Sequence, residues 1–409
     1  MKQRVRGRQW LLLVAILCGL CTAAYVLWPT PKVKAPSPAQ SVPKITQKST
    51  TKPDRIRVLA AGDFIAHDAI NQQAKQADGS YDYMSMMSSF TDIFHTADIR
   101  FCNDANLTAG AAHGISGYPK FNAPTEFARD MGKVGCNMVN VGTNHSFDRN
   151  QDAINASIDA WNTVPNMLAV VGHNKDQAQR MKVNYFTTKG VKFAFLAYTT
   201  YLNVDAPAQN DYGVNVYSDA FAAEQIKTAK EAGAEVIIVS VRWGTEYSTS
   251  VNPTQKRIAQ YLADQGVSLV LGHGSHELQP VEQLTGVAGT KTTVWYSLGN
   301  FLNTQLPPET LFNGVAVIDY SVKTKQITGM SFLPLYAHYV WSAEAAARQN
   351  PDDLLARKDI RMYLLDDVTQ PMIDSQQLKT TAAAQRTRLQ NTLNTYMPVP
   401  LITKQAYNQ

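Results

Sequence analysis

The run Val141-Gly142-Thr143-Asn144-His145-Ser146-Phe147-Asp148 places an amide, an imidazole and a carboxylate close to a glycine. An amide oxygen beside an imidazole nitrogen can serve one ion or one polar ligand, and the glycine lets the backbone approach it closely. The run follows apolar Met138 to Val141 and precedes the helix-like Ala153 to Trp161, so it reads as the turn leaving a buried strand. Such turns lie at the carboxyl end of a sheet, where α/β folds keep their chemistry.

Further strand ends repeat the pattern. Gly62-Asp63-Phe64 is followed by His67 and Asp68, and a second run ends in Asn103-Asp104. Val239-Ser240-Val241 leads into Arg242-Trp243-Gly244-Thr245-Glu246-Tyr247, and Val270-Leu271 into Gly272-His273-Gly274-Ser275-His276. Ser297-Leu298-Gly299-Asn300-Phe301 closes the series. One acidic residue after a strand is commonplace, but polar residues at strand end after strand end point to a shared site. The candidate pocket residues are Asp63, Asn103, Asp104, Asn144, His145, Arg242, Glu246, His273, His276 and Asn300. His67 and Asp68 are expected to cap the next helix. Ser297 and Asn300 brace the turn beneath the site, and no elbow motif marks the serine as a nucleophile. Trp243 and Tyr247 read equally as pocket wall or core.

The elements that must position these residues are short apolar runs alternating with helical stretches. Ile56 to Ala60, Ile99 to Cys102, Met138 to Val141, Leu168 to Val171, Val191 to Tyr198, Val236 to Val241, Val267 to Leu271 and Thr293 to Ser297 predict the strands of an α/β body. With 409 residues, 44% of them hydrophobic, the chain can bury a large core. The net charge of +5 is mild and much of it lies before residue 53. No basic stripe interleaves with aromatics, so nucleic acid is not an expected partner.

In order, the series Gly-Asp, Asn, Gly-x-Asn-His-x-x-Asp, Trp-Gly-x-Glu-Tyr, Gly-His-x-x-His-x-x-Gln-Pro and Ser-Leu-Gly-Asn-Phe resembles the CapA family. These are capsule and poly-γ-glutamate biosynthesis proteins, a branch of the calcineurin-like metallophosphoesterase superfamily. The resemblance runs from about Arg55 to Leu335. It implies a four-layer sandwich, two mixed sheets flanked by helices, with a dinuclear metal site at the strand ends. Asp63, Asn144, His145 and His276 match the family's metal positions.

Other positions depart from the pattern. Where the family has Asn-x-Glu this chain has Asn103-Asp104-Ala105, where a histidine precedes Trp-Gly stands Arg242, and His-Pro-His is replaced by Gly274-Ser275-His276. A guanidinium has no lone pair and repels a cation, and a two-metal mechanism needs both ions. The first expectation is therefore an accessory protein of poly-γ-glutamate or capsule synthesis, export or anchoring. Its degenerate pocket uses Arg242 to take carboxylates or phosphates of an anionic polymer. No cofactor is expected, unless an incomplete site keeps a divalent Mn, Zn or Fe. The alternative is a metal-dependent hydrolase, a phosphoesterase or polymer amide hydrolase, built on Asp63, Asp104, Asn144, His145, His273 and His276. In the plainest reading, Arg242 pairs with Asp63 or Glu246 and binds nothing.

Around the body, residues 1–9 form a basic segment, and uncharged 10–28 reads as a transmembrane helix. That span implies a single-pass protein of the cell membrane, with a cytoplasmic amino terminus, an extracellular main domain and membrane-subunit partners. A cleaved signal peptide at Thr22-Ala23-Ala24 competes with it. Proline-rich 29–53 reads as a spacer, 54–335 as the CapA-type domain, and 336–409 as a helical extension over Ala343 to Arg348, Asp352 to Leu365 and Ser375 to Tyr396. Cys102 and Cys136, placed at opposite ends of parallel strands, are expected as buried free thiols.

Overall fold

The apolar runs form strands, and the alternation within each strand assigns its side chains to one of two cores. The computed structural model describes residues 54–341 and 355–408. One sheet holds the parallel strands β1 (Arg55–Phe64), β2 (Ile99–Asp104), β3 (Met138–Asn140) and β4 (Ala169–Val171). The second sheet contains β5 (Asn184–Thr188), β6 (Val191–Thr199), β7 (Val236–Arg242), β8 (Leu269–His273), β9 (Val281–Thr285) and β10 (Lys291–Trp295) in the order β5-β6-β7-β8-β10-β9. The inner members of that sheet run parallel and its two edges antiparallel. The first sheet gains β11 (Asn300–Leu302) beside the end of β1, then antiparallel β12 (Phe312–Ser321), β13 (Gln326–Trp341) and β14 (Arg357–Leu364).

Period-two patterning shows most clearly in β6 and β7. Phe193, Phe195, Val236 and Ile238 face the core between the sheets, while Leu196, Tyr198, Ile237, Val239 and Val241 face the outer helices. Phe101 meets Phe195 across the sheets with centroids 6.1 Å apart, and Trp295 lies 5.9 Å from Phe332. Each such side chain contributes roughly 1.5–3 kcal/mol on burial, so a charge at Val239 would open the outer core.

The main helices are α1 (Asp68–Ala74), α2 (Thr125–Val134), α3 (Gln151–Asn162), α4 (Asp219–Glu231), α5 (Pro253–Asp264) and α6 (Ala382–Leu393). Asn252 starts α5 with a reciprocal capping box to Gln255, and Pro253 supplies the preset first turn. Ile258, Ala259 and Leu262 of α5 and Phe221, Ala222 and Ile226 of α4 cover the outer face of the second sheet. Helix-led crossovers between parallel strands leave the ends of β1, β2, β3, β7 and β8 on one side, where the polar turns gather.

Several expectations require correction. A membrane span takes about 20 apolar residues, whereas among the described residues no helix is long and apolar enough to cross a membrane. The span expected over 10–28, like the segments 1–9 and 29–53, lies outside the described residues. The transmembrane helix, the membrane as a partner and the single-pass placement with a cytoplasmic amino terminus are therefore withdrawn.

Among the described residues the carboxyl-terminal part is only partly helical. Within Asp352 to Leu365, residues 357–364 form β14 on the edge of the first sheet, because Ile360, Met362 and Leu364 alternate into the core. The boundary at 335 falls inside β13, and Ser375 to Tyr396 contains the end of one short helix and all of α6. Phe332 N donates to Pro400 O, and Ile402 N to Phe332 O, both at 2.9 Å, so the end of the chain is sewn to β13. Ala343 to Arg348 lies outside the described residues.

Cys102 and Cys136 form a disulfide with Cα atoms 5.8 Å apart. Cys136 belongs to the turn after α2, whose amide still bonds back to Met131 O. It is displaced from the line of β3 and brought over β2, which strand register alone does not reveal. Such bonds persist in oxidising compartments.

Candidate functional site

Asp63 anchors the site from the end of β1, where it is fully buried. Its Oδ1 accepts from Asn103 Nδ2 at 2.8 Å, and Asn103 Oδ1 accepts in turn from Asn140 Nδ2 at 2.8 Å. Asn140 Nδ2 also lies 2.8 Å from His273 Nε2, which is 2.9 Å from Ser240 Oγ. A donor amide on Nε2 leaves the proton of neutral His273 on Nδ1, 3.7 Å from Asp63 Oδ1. These residues of β1, β2, β3, β7 and β8 form one buried chain that leaves His273 Nδ1 without a hydrogen-bond partner among the described residues. Burial pushes the His273 imidazole down to about 3 against the pull of Asp63, aided by Arg242 and His276, so it stays neutral. Burial would raise the Asp63 carboxyl, but the hydrogen bond from His276 and the charges of His276 and Arg242 hold it below the usual carboxylate value.

Above this layer lies a cavity of about 410 Å³ lined by Asp63, His67, Asn144, His145, Arg242, Glu246 and His276, among others. His276 Nδ1 lies 2.9 Å from Asp63 Oδ2 and 3.0 Å from Asn300 Oδ1, two acceptors that fix the proton on that nitrogen. Its φ of 64 is left-handed, a conformation that costs about 1–3 kcal/mol and is kept where neighbours enforce it. His145 Nδ1 sits 2.6 Å from Asp148 Oδ2, which also takes the Phe121 amide at 2.6 Å.

Arg242 enters this cluster from the end of β7 and is 2% exposed. Nε donates to Asn144 Oδ1 at 2.8 Å and Nη2 to Glu246 Oε1 at 2.7 Å. The Tyr201 ring stacks on the guanidinium at 5.1 Å. A Cβ on Gly274 would stand 2.2 Å from Arg242 Nη1 and 2.4 Å from Cδ, so only glycine fits there. The arginine at 242 and the glycine at 274 are one steric solution: the second makes the space the first occupies. Two donors remain over, since Arg242 Nη1 and Asn144 Nδ2 are buried without a hydrogen-bond partner among the described residues.

Asp104 does not join the cavity. It points to the α3 side, where Oδ2 accepts from Thr108 Oγ1 at 2.8 Å and Trp161 Nε1 at 3.1 Å. Burial raises its carboxyl to about 6 despite these donors. Asn103 and His273 lie beneath the cavity rather than on its wall, and Asn300 supports His276. His67, expected as a cap, makes no side-chain cap; its Nδ1 accepts from Thr304 N at 3.3 Å, and burial chiefly pushes it down to about 3. Its offset from the strand end is the only sequence signal that could have promoted it. Arg357 of β14, whose guanidinium lies against the rings of Tyr339 and Trp341, also lines the cavity and carries no motif.

The metal pair that the resemblance implies does not fit this donor set. Asn144 offers its oxygen to Arg242, His273 Nε2 faces Asn140 and Ser240, Asp104 is turned away, and Ala105 presents only a methyl group. Among the described residues no group of three or more His, Cys, Asp or Glu is arranged to hold a metal ion. What the arrangement can do is hold an acceptor-rich group against fixed donors.

Comparison with known proteins agrees with the motif series. Residues 57–305 match the family model described as bacterial capsule synthesis protein PGA_cap. The "PGA biosynthesis protein CapA" of Bacillus subtilis is 26% identical over 231 residues, 56% of this chain and 57% of that protein. The "Capsule biosynthesis protein CapA" of Bacillus anthracis is 23% identical over 218 residues, 52% and 51% of the two chains. The chain thus spans a little over half the length of either relative. Among solved structures, a phosphatase of Mycoplasma pneumoniae is similar with TM-score 0.41 and 14% identity, over 68% of this chain and 93% of that one. The calcineurin-like phosphoesterase YfkN of Bacillus subtilis gives 0.38 and 14%, over 68% and 90%. With all of these strand-end motifs inside the matched region, the chain belongs to the PGA_cap family of bacterial capsule synthesis proteins.

Proposed function

We propose that this protein is an accessory factor in the synthesis, export or retention of poly-γ-glutamate or a similar anionic capsule polymer, and that its pocket receives the polymer's carboxylates. The observation that carries this reading is the pair of buried donors, Arg242 Nη1 and Asn144 Nδ2, left without an acceptor beside the cavity. Each unsatisfied buried donor costs about 1–3 kcal/mol, and a carboxylate relieves such a cost. Glu246, whose carboxylate already rests on Arg242 Nη2, is the internal counterpart of that ligand. Family membership and the printed names of the relatives support the polymer's identity. Protein partners would be other components of a polymer-assembly machine.

Titrating the full-length protein with oligo-γ-glutamate tests the proposal. Arg242→Ala should weaken binding by about tenfold or more, the worth of one charge-assisted contact. Equal affinity for both proteins would remove the reading. The hydrolase alternative draws on one observation, the His145–Asp148 pair at 2.6 Å, an orientation suited to proton transfer. Stoichiometric Mn, Zn or Fe that disappears in His145→Ala, together with turnover, would favour it.

A further inference from the structure

The strand-end cavity has a neighbour. A second cavity of about 390 Å³ is lined by Lys120, Tyr201, Asn203 and others, and it shares Tyr118, His145 and Glu246 with the first. The partition between them includes the Glu246 carboxylate on Arg242, beside the Tyr201 ring, whose hydroxyl lies 3.5 Å from Glu246 Oε1. Arg242 is therefore approached by the first cavity directly and by the second across Tyr201.

The partition is also the part of the wall that can move. The Glu246 side chain is 39% exposed, against 3% for Arg242, so rotating it into water costs little solvation. It is carried by a loop whose Gly244 and Tyr247 both hold left-handed backbones, with φ of 86 and 57. Tyr247 N is tied to Ser275 O at 2.9 Å, so the loop's ends are fixed while the Glu246 side chain projects from it.

The rims of the two cavities carry exposed aromatic surface. Tyr118 is 65% exposed, Tyr247 52% and Tyr201 37%, and all of them border one cavity or both. Tyrosines presented this way offer flat apolar area with little side-chain entropy to lose, and such exposed clusters mark binding surfaces. The fixed acids nearby are already engaged, Asp63 by His276 and Asp148 by His145 and the Phe121 amide. Lys120, exposed on the second cavity, forms no ion pair among the described residues and adds a cation beyond Arg242.

We infer that the two cavities form one trough, in which an anionic polymer lies along its length while one of its carboxylates replaces Glu246 on Arg242. This rests on the carboxylate-binding reading above and adds that the site grips the interior of a chain rather than a single residue or an end. Successive free carboxylates of γ-linked glutamate would meet Arg242 and then Lys120, with the methylene backbone against the tyrosines.

The test is calorimetric titration of the full-length protein with γ-linked glutamate oligomers from the dimer upward. Affinity should climb about tenfold or more with length until both cavities are filled, and the gain should shrink as salt is raised. The ratio of long to short oligomer affinity should collapse in Lys120→Glu and in Tyr201→Ala, and Glu246→Gln should tighten binding at every length. Lys120 is exposed, so that variant is expected to fold. A single affinity at all lengths that still depends on Arg242 would overturn the trough and leave the carboxylate pocket standing. A length gain untouched by Lys120→Glu and Tyr201→Ala would overturn the assigned path, and no binding at any length would overturn both.

Discussion

The strand-end face has two layers, one beneath the cavity and one on its wall. In the lower layer, Asn140, Asn103, Asp63, His273 and Ser240 are buried and linked to one another. In the upper layer, Arg242 bonds to Asn144 and to Glu246, yet Arg242 and Asn144 each retain a donor with no acceptor among the described residues. The lower layer ties the ends of five strands together and leaves His273 Nδ1 unpaired beneath the cavity, whereas the unpaired donors of the upper layer belong to residues that line it. The lower layer holds the strand ends together, and the upper layer carries the residues on which the proposed binding rests.

Mutation should separate them. The largest effect is expected below: Asp63→Ala removes the charge that faces His276 and Arg242, and should cost about 3–5 kcal/mol in urea unfolding, as broken buried pairs do. Arg242→Ala should cost less stability than that, because the abandoned Glu246 is solvated, so its main effect is on ligand affinity. A stability loss at Arg242 equal to that at Asp63 would erase the distinction between the layers.

Gly274→Ala sharpens the comparison from the other side. The added methyl meets the guanidinium at a backbone φ of 105, and should destabilise by about 1–3 kcal/mol while weakening carboxylate binding in parallel with Arg242→Ala. Unchanged binding would show that the arginine does not depend on that space.

Acid should act through the lower layer. His273 is held near 3, below its ordinary 6.5, so the unfolded chain takes the proton first. Its contribution is complete above about pH 6.5 and is lost as pH falls toward 3, at up to about 1.4 kcal/mol per pH unit. Asp104, raised to about 6 from 3.8, acts oppositely: it favours the folded state as pH falls through that window. Unfolding midpoints measured from pH 7 to 4 should fall less steeply in His273→Gln than in the parent. The smallest effect belongs to Asp104→Asn, which should leave oligo-γ-glutamate affinity unchanged because the side chain faces Trp161 and Thr108, away from the cavity.

The sequence made the strands and their polar ends legible, because alternation and turn chemistry are local. It also placed Arg242 among Asp63, Asn144, His145 and His276, since the motif order carried that neighbourhood. It could not show that Gly274 and Arg242 fit one another, or that Asp104 turns toward Trp161, because both depend on side-chain packing between distant segments. Arg357 was invisible for a similar reason: β14 reaches the cavity only by adding to the edge of a sheet begun three hundred residues earlier. The Cys102–Cys136 bond was missed because register was used where the turn after α2 decides the distance.

The most direct test is a crystal structure of the protein with a γ-linked glutamate oligomer. The account predicts a ligand carboxylate within hydrogen-bond distance of Arg242, with Glu246 swung out and no ion between Asp63 and His276. Two bridging metal ions in that cavity, with Arg242 turned aside, would contradict it.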